Sequence, residues 1–247
     1  MIAKLIEFYN YHRRGNYRLV KYLLRDGKHH KMALILPGGG YHRIDSYAEG
    51  YPYAKRLNRL GYHAFVLYYR YDEQGSWPDP LEDVVRAIRT ICAHAEQWKV
   101  DPAGYSLWGG SAGGHLAGLF GAVCGGYGLT APGSLVLAYP VITLGEGTHE
   151  GSRDHLLGKP AETRLVEELS VQKLVTKDYP PTYLWWGEAD SIVDPVNSHL
   201  MKAALEKNGV SHIARPFPGV DHGVGLGTGL VCEGWFEEAV RFWEKNR

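Results

Sequence analysis

Residues 109–113 read GGSAG, a G-x-S-x-G pentapeptide between a short apolar run and a segment with helical character. The apolar run at 105–108 is typical of a strand, so the pentapeptide is predicted to be a strand-to-helix turn. A serine on such a sharp turn has strained backbone angles, and small neighbours are needed to avoid collisions. The turn lifts the Ser111 hydroxyl out of the sheet, where a base and a substrate carbonyl can both reach it.

Strand-like and helix-like stretches alternate along the chain, which favours the α/β class with a mostly parallel central sheet and helices on both faces. Strands are predicted at 17–24, 32–36, 62–69, 104–108, 134–139, 182–186 and 211–217. Helices are predicted at 47–60, 79–98, 112–124, 194–208 and 233–245. No repeat, low-complexity tract or linker interrupts this order, so residues 1–247 are expected to form a single domain.

One stretch, 140–178, breaks the alternation. Its first half is polar and rich in glycine, and its second half, 161–175, has a helical pattern. An insertion that follows the strand at 134–139 can form a small cap over a pocket at the strand ends. A plain connecting excursion is the alternative.

Composition excludes several classes of partner. Lys plus Arg and Asp plus Glu each total 27, so the net charge is zero and no basic patch indicates nucleic acid or a membrane surface. No apolar run has the length of a membrane span, and residues 1–7 are too short and too charged for a signal peptide, so a cytoplasmic location is expected.

Three widely spaced cysteines indicate free thiols rather than a disulfide framework. The high aromatic content is typical of a pocket that binds sugars or aryl groups. Ordinary packing of the core and surface explains it equally well.

A serine hydroxyl needs a histidine to take its proton and a carboxylate to hold that histidine's tautomer. The loop at 187–194 offers three carboxylates, Glu188, Asp190 and Asp194. Asp194 precedes a proline and is explained by helix capping, and Glu188 can point to solvent, so Asp190 at the loop tip is the predicted acid.

The predicted base is His222, which lies in a glycine-rich loop after the last strand. The ring of a histidine at this place can turn toward the carboxyl edge of the sheet. His212 within a strand and His199 on a helix are expected to be structural. Asp221 is adjacent to the base, and adjacent side chains rarely face each other in the required geometry.

Glycines at 38–40 follow the apolar strand 32–36 and can supply amide donors for a developing oxyanion. We expect the N–H groups of Gly39 and Gly40 to act together with that of Ala112, the residue after the serine. A phosphate-binding loop is excluded because no Gly-Lys-Ser/Thr sequence follows these glycines. A dinucleotide-binding loop is excluded because the third glycine of its fingerprint is missing. No spacing typical of a metal site is present, so neither a metal nor a cofactor is expected.

Together these segments resemble the α/β-hydrolase serine esterases, and most closely the branch of acetyl esterases and acetyl-xylan-esterase-like enzymes related to hormone-sensitive lipase. The resemblance covers nearly the whole chain and includes PGGGY at 37–41, GGSAGGH at 109–115, PPTYLWWGEAD at 180–190 and DHGVGLG at 221–227. Pro37 departs from the H-G-G-G histidine of the lipase-like branch and fits the acetyl-esterase-like branch better.

The resemblance implies roles for particular residues. It makes Ser111 the nucleophile, Asp190 the acid and His222 the base, with Gly39, Gly40 and Ala112 as oxyanion donors. His115 is expected to pack or to support the site, and Tyr41 and His42 are expected to flank the mouth of the pocket as substrate-binding residues.

The implied activity is hydrolysis of carboxylic esters with small acyl groups, such as acetylated sugars or xylo-oligosaccharides. An arylformamidase-like amide hydrolase and a non-catalytic binding protein on a hydrolase scaffold are the alternatives. The expected partner is a small-molecule ester, with a homo-oligomer possible.

Overall fold

The computed structural model describes residues 16–72 and 75–247. Seven strands form one sheet in the order β1-β3-β2-β4-β5-β6-β7, with β1 antiparallel to β3 and every other pairing parallel. The strands are β1 (Arg18–Tyr22), β2 (His30–Leu36), β3 (His63–Tyr68), β4 (Val100–Gly110), β5 (Ser134–Ala138), β6 (Thr182–Gly187) and β7 (His212–Phe217). The predicted, mostly parallel sheet is thereby confirmed.

The α-helices are α1 (Tyr51–Arg59), α2 (Asp79–Ala93), α3 (Ala95–Trp98), α4 (Ser111–Val123), α5 (Glu150–Leu157), α6 (Thr163–Glu168), α7 (Val196–Lys207) and α8 (Trp235–Asn246). A π-helical turn at Ser46–Gly50 leads into α1, and 3₁₀ turns lie at Cys124–Tyr127 and Val171–Lys173. No helix within the described residues combines the length and apolar composition needed to cross a bilayer.

Helices cover both faces of the sheet because strand side chains alternate between two apolar clusters. On one face, alternate residues of β2 such as Leu34 pack with α2, α4 and α7. On the other face, the intervening residues such as Ile35 pack with α1 and α8. The central strands are buried on both sides, which explains why they read as continuous apolar runs in the sequence.

Two helix predictions needed correction. The predicted helix at 47–60 is a π-helical turn followed by α1, which begins at Tyr51. Pro52 therefore lies in the first turn of α1, where its missing N–H leaves no helical hydrogen bond unmade. The predicted helix at 79–98 ends at Ala93 and is followed by the separate short helix α3.

The segment 140–178 holds more regular structure than its sequence predicts. Its polar first half contains α5, which begins after His149, whose ring nitrogen accepts a hydrogen bond from the Ser152 amide. The predicted helical stretch at 161–175 is α6 followed by a 3₁₀ turn. The three cysteines are free thiols, as expected from their spacing.

Candidate active site

Ser111 lies at the junction of β4 and α4, at the carboxyl end of the sheet. Its φ angle is +52°, a left-handed conformation that costs a residue with a Cβ about 1–2 kcal/mol. The turn can form only because Gly113 has no side chain, since a Cβ there would lie 2.0 Å from the carbonyl oxygen of Leu36. The junction therefore has the strained strand-to-helix geometry that the pentapeptide predicts.

His222 is close enough to Ser111 to form a hydrogen bond. Its Nε2 lies 2.8 Å from Ser111 Oγ, although the two residues are 111 positions apart in the chain. The loop that carries His222 follows β7, so its imidazole comes to the same sheet edge as the serine. The Tyr139 ring contacts the imidazole with its centroid 4.8 Å away, and this packing limits how far the imidazole can turn.

Asp190 holds the other nitrogen of that imidazole. Its Oδ2 lies 2.7 Å from His222 Nδ1, and its side chain is 1% exposed. Its Oδ1 accepts the backbone N–H groups of Ile192 and Val193 at 3.0 and 2.9 Å. The carboxylate is thus fixed on both oxygens, and it receives the Nδ1–H of the tautomer whose Nε2 can accept the serine proton.

Asp221, the residue next to His222, has different hydrogen-bond partners from Asp190. It accepts hydrogen bonds from the amide and hydroxyl of Ser191, both at 2.9 Å, and from the amide of His222 at 2.7 Å. These bonds lower its pKa, those from the Ser191 and His222 amides most. Asp221 therefore joins the loop that carries Asp190 to the loop that carries His222, and among the described residues its carboxylate makes no hydrogen bond with the imidazole ring.

The glycine loop after β2 presents free amide groups next to Ser111. Gly39 has a φ angle of +124°, and a Cβ there would lie 2.2 Å from the Arg43 carbonyl oxygen, so only glycine fits. Within the described residues, the N–H groups of Gly39 and Gly40 make no hydrogen bond. The N–H of Ala112, in the first turn of α4, also has no helical partner. These three amides are the ones that the sequence predicts as oxyanion donors, and that role stays a prediction.

A buried carboxyl that the sequence analysis missed supports this loop. Glu49 is 2% exposed and accepts the Gly38 N–H at 2.5 Å. A Cβ on Gly110 would lie 2.5 Å from a Glu49 carboxyl oxygen, so this side chain packs directly beneath the serine turn. Burial raises its pKa to about 7, with a smaller effect of the Asp45 charge in the same direction. No sequence motif predicts that Glu49 lies in a π-helical turn.

The raised pKa of Glu49 predicts a pH dependence of stability. Because the folded pKa exceeds the ordinary value of 4.5, the contribution of Glu49 to stability is fully present below pH 4.5 and is lost as the pH rises through about 7. We expect the free energy of unfolding of the wild type to fall by about 3 kcal/mol relative to Glu49→Gln between pH 4.5 and pH 8. Urea unfolding of both proteins across this range measures it, since the other titrating groups cancel. Parallel stability curves would contradict the assignment.

The groups converge on a cavity of about 380 Å³. It is lined by Ser111, His222, the glycine loop, Glu49, and residues of the 140–178 segment that include His149, Gly151 and His155. Burial lowers the pKa of His149, and the nearby His222 lowers it further. His149 and His155 are site-lining residues that the sequence analysis did not identify, because they lie in the segment that breaks the strand–helix alternation.

The structure separates the two predicted substrate-binding residues. His42 lines the cavity, whereas Tyr41 is fully buried beneath the loop and does not line it. The Tyr41 hydroxyl donates to His115 Nδ1 at 2.8 Å, and His115 Nε2–H donates to the Leu169 carbonyl at 2.9 Å. Burial lowers the pKa of His115 to about 4, so the ring is neutral. Tyr41 therefore anchors the glycine loop, and its position does not match that expected at a pocket mouth.

Comparison with known proteins identifies the family of the chain. The family model described as BD-FAE matches residues 22–205. Endo-1,4-beta-xylanase B of Butyrivibrio fibrisolvens is 33% identical over 234 residues, which are 88% of this chain and 36% of that protein. The acetylxylan esterase of Xylanibacter ruminicola is 30% identical over 207 residues, which are 82% of this chain and 41% of that protein. The chain thus spans about two fifths or less of the length of these relatives.

Among solved structures, the acetyl ester-xyloside bifunctional hydrolase from Caldicellulosiruptor lactoaceticus has a TM-score of 0.84 and 36% identity. The match covers 93% of this chain and 88% of that one. A carboxylesterase from Lactobacillus plantarum has a TM-score of 0.79 and 25% identity, over 93% of this chain and 92% of that one. The chain belongs to the BD-FAE family and has the fold of the α/β-hydrolase esterases.

Proposed function

We propose that the protein is a serine-dependent carboxylic ester hydrolase that removes small acyl groups. The observation that carries the proposal is the continuous hydrogen-bonded series from Ser111 Oγ through His222 to Asp190, with distances of 2.8 and 2.7 Å. In this series Ser111 is the nucleophile, His222 the general base, and Asp190 the acid that fixes the imidazole tautomer.

Acylation begins when Ser111 Oγ attacks the ester carbonyl carbon and its proton moves to His222 Nε2. The resulting imidazolium keeps its Nδ1–H on the Asp190 carboxylate. The carbonyl oxygen becomes an oxyanion, which accepts hydrogen bonds from the amides of Gly39, Gly40 and Ala112. These donors are already oriented, so no free energy of reorganisation is spent as the charge develops.

The tetrahedral intermediate then collapses, and the bond between the carbonyl carbon and the alkoxy oxygen breaks. His222 gives its proton to the departing alcohol, which leaves the acyl group on Ser111. In the second half, His222 takes a proton from water, the hydroxide attacks the acyl carbon, and Ser111 recovers its proton as the carboxylic acid leaves. The side chains named and one water account for every bond made and broken.

Acetylated xylo-oligosaccharides are the substrate class that we favour. The relatives named above include an acetylxylan esterase and an acetyl ester-xyloside hydrolase. The cavity is lined by groups able to hydrogen-bond sugar hydroxyls, among them Arg43, Asp45 and His42.

The 140–178 segment is proposed to act as the cap, because three of its residues contribute to the cavity wall. A cytoplasmic location and a homo-oligomer stay predictions of the sequence.

A fluorophosphonate probe tests the chemistry directly. We expect one probe molecule per chain, with the added mass on the peptide that contains Ser111, because the phosphonyl group traps an activated serine. Labelling should be prevented by Ser111→Ala and slowed by a p-nitrophenyl acetate excess. A chain that stays unlabelled while folded would favour the non-catalytic binding protein.

Substrate comparison distinguishes the two hydrolytic alternatives. We expect acetylated xylobiose and p-nitrophenyl acetate to be hydrolysed with a kcat/KM at least tenfold above that for N-formylkynurenine. The reverse preference would make the protein an arylformamidase-like amide hydrolase. Activity rising with acyl chain length from acetate to decanoate would contradict the small-acyl assignment.

A further inference from the structure

Three side chains that commonly ligate metals meet beside the active-site cavity. They are His42, Asp72 and His155, and one potential ligand atom from each lies within 4.8 Å of the other two. His42 Nδ1 is 3.2 Å from Asp72 Oδ2, and the rings of His42 and His155 stack with their centroids 4.8 Å apart. The three residues are far apart in the sequence, so no spacing pattern predicts the cluster.

Backbone hydrogen bonds hold together the segments that carry His42, Asp72 and His155. The proximity of the three side chains therefore follows from the positions of their backbones. The amide of Asp72 donates to the Tyr41 carbonyl at 3.1 Å, which places the segment after β3 beside the glycine loop. The amide of Trp77 donates to the carbonyl of Leu156 at 2.9 Å, which fastens α5 to the same region.

Two imidazoles and one carboxylate are a donor set that suits Zn²⁺ and other late first-row divalent ions, whereas Ca²⁺ and Mg²⁺ prefer oxygen ligands. Two histidines on one tetrahedral zinc, with Zn–N distances of about 2 Å, place their ring centroids about 5 Å apart. The His42 and His155 rings have their centroids 4.8 Å apart at an interplanar angle of 25°, so one ring must turn before the in-plane lone pairs of both can point at a single ion. Asp72 and His42 are half-exposed, with 43% and 57% of their side chains accessible, so both can adjust around an ion.

A simple ion pair does not account for all three residues. The contact between His42 and Asp72 explains two of them. The third, His155, has an Nδ1 atom that is buried and makes no hydrogen bond within the described residues. A buried ring nitrogen without a partner is costly, so the hydrogen-bonding capacity of His155 is not met by the described residues.

We propose that His42, Asp72 and His155 bind a zinc-class divalent cation, with water completing its coordination, and that the bound ion obstructs access to Ser111. His42 and His155 line the same cavity as the serine and His222, so an ion held by them lies at the wall of that cavity. The obstruction rests on the proposed hydrolytic function, whereas the binding site does not.

Isothermal titration of metal-stripped protein with Zn²⁺ tests the binding site. We expect one equivalent to bind, and the variants His42→Ala, Asp72→Asn and His155→Ala each to weaken the affinity at least tenfold. Asparagine is chosen at position 72 because the φ angle there is +56°, a conformation that asparagine tolerates. His29→Asn is the matched control, because His29 is an exposed histidine 3.4 Å from the Glu96 carboxylate and should leave the affinity unchanged.

The same titration on Ser111→Ala separates this inference from the hydrolytic assignment, since zinc should bind that inactive variant with unchanged affinity. In the wild type, one equivalent of Zn²⁺ should lower kcat/KM for p-nitrophenyl acetate at least fivefold, and EDTA should restore it. Circular dichroism confirms that each variant is folded. Unchanged zinc affinity in the three ligand variants, or binding lost in His222→Ala instead, would overturn the site. Binding without inhibition would overturn the obstruction.

Discussion

Replacing Ser111 with alanine should lower kcat for p-nitrophenyl acetate by at least about 10⁴-fold, because no other group can accept the acyl chain once the nucleophile is gone. The loss corresponds to at least about 5 kcal/mol of transition-state stabilisation. The thermal midpoint should stay close to that of the wild type, since alanine keeps the Cβ and therefore the same strain at a φ angle of +52°. Initial rates and a melting curve on the same preparation measure both quantities.

A serine close by provides the matched control. Ser191 lies one residue after Asp190 and donates its hydroxyl to Asp221, and among the described residues its side chain makes no hydrogen bond with His222. Ser191→Ala should therefore keep kcat within about tenfold of the wild type. A folded Ser111→Ala protein with wild-type turnover would remove the nucleophile from the proposed mechanism, whatever the distances at the site.

The sequence was most informative where chemistry restricts both residue type and chain order. A strand-to-helix turn limits which residues can flank Ser111, and parallel strands deliver their carboxyl-end loops to one edge. Asp190 and His222 could be identified because each follows a predicted strand, and the structure places both in hydrogen-bonded series with the serine. Their roles in catalysis stay a proposal.

Residues whose position depends on tertiary packing could not be predicted in the same way. Tyr41 is next to the glycine loop in sequence, yet a φ angle of +56° turns it inward onto His115 instead of toward the cavity. Glu49 lies within the helix predicted at 47–60, but in the structure it belongs to a π-helical turn that directs its side chain beneath Gly110. Nothing local in the sequence distinguishes either of these orientations.

Asp190→Asn should lower kcat/KM by about 10³- to 10⁴-fold with little change in stability. The asparagine can keep its side-chain oxygen on the amides of Ile192 and Val193, which leaves its NH₂ group facing His222 Nδ1. That nitrogen must then accept a hydrogen bond, so the proton moves to Nε2, which can no longer take the proton of Ser111. Initial rates from pH 5 to 9 measure the loss, which should be smaller at high pH, where hydroxide assists.

Asp221→Asn is the matched control for Asp190→Asn. Both acids lie near His222, but they differ in their hydrogen-bond partners. Asp221 binds the backbone and side chain of Ser191 and the amide of His222, and none of these bonds selects an imidazole tautomer. Its removal should loosen the two loops and change kcat/KM by less than about tenfold. If the two variants lost activity equally, loop position rather than the tautomer of His222 would be the basis of the acid's contribution, and the assignment of Asp190 would fail.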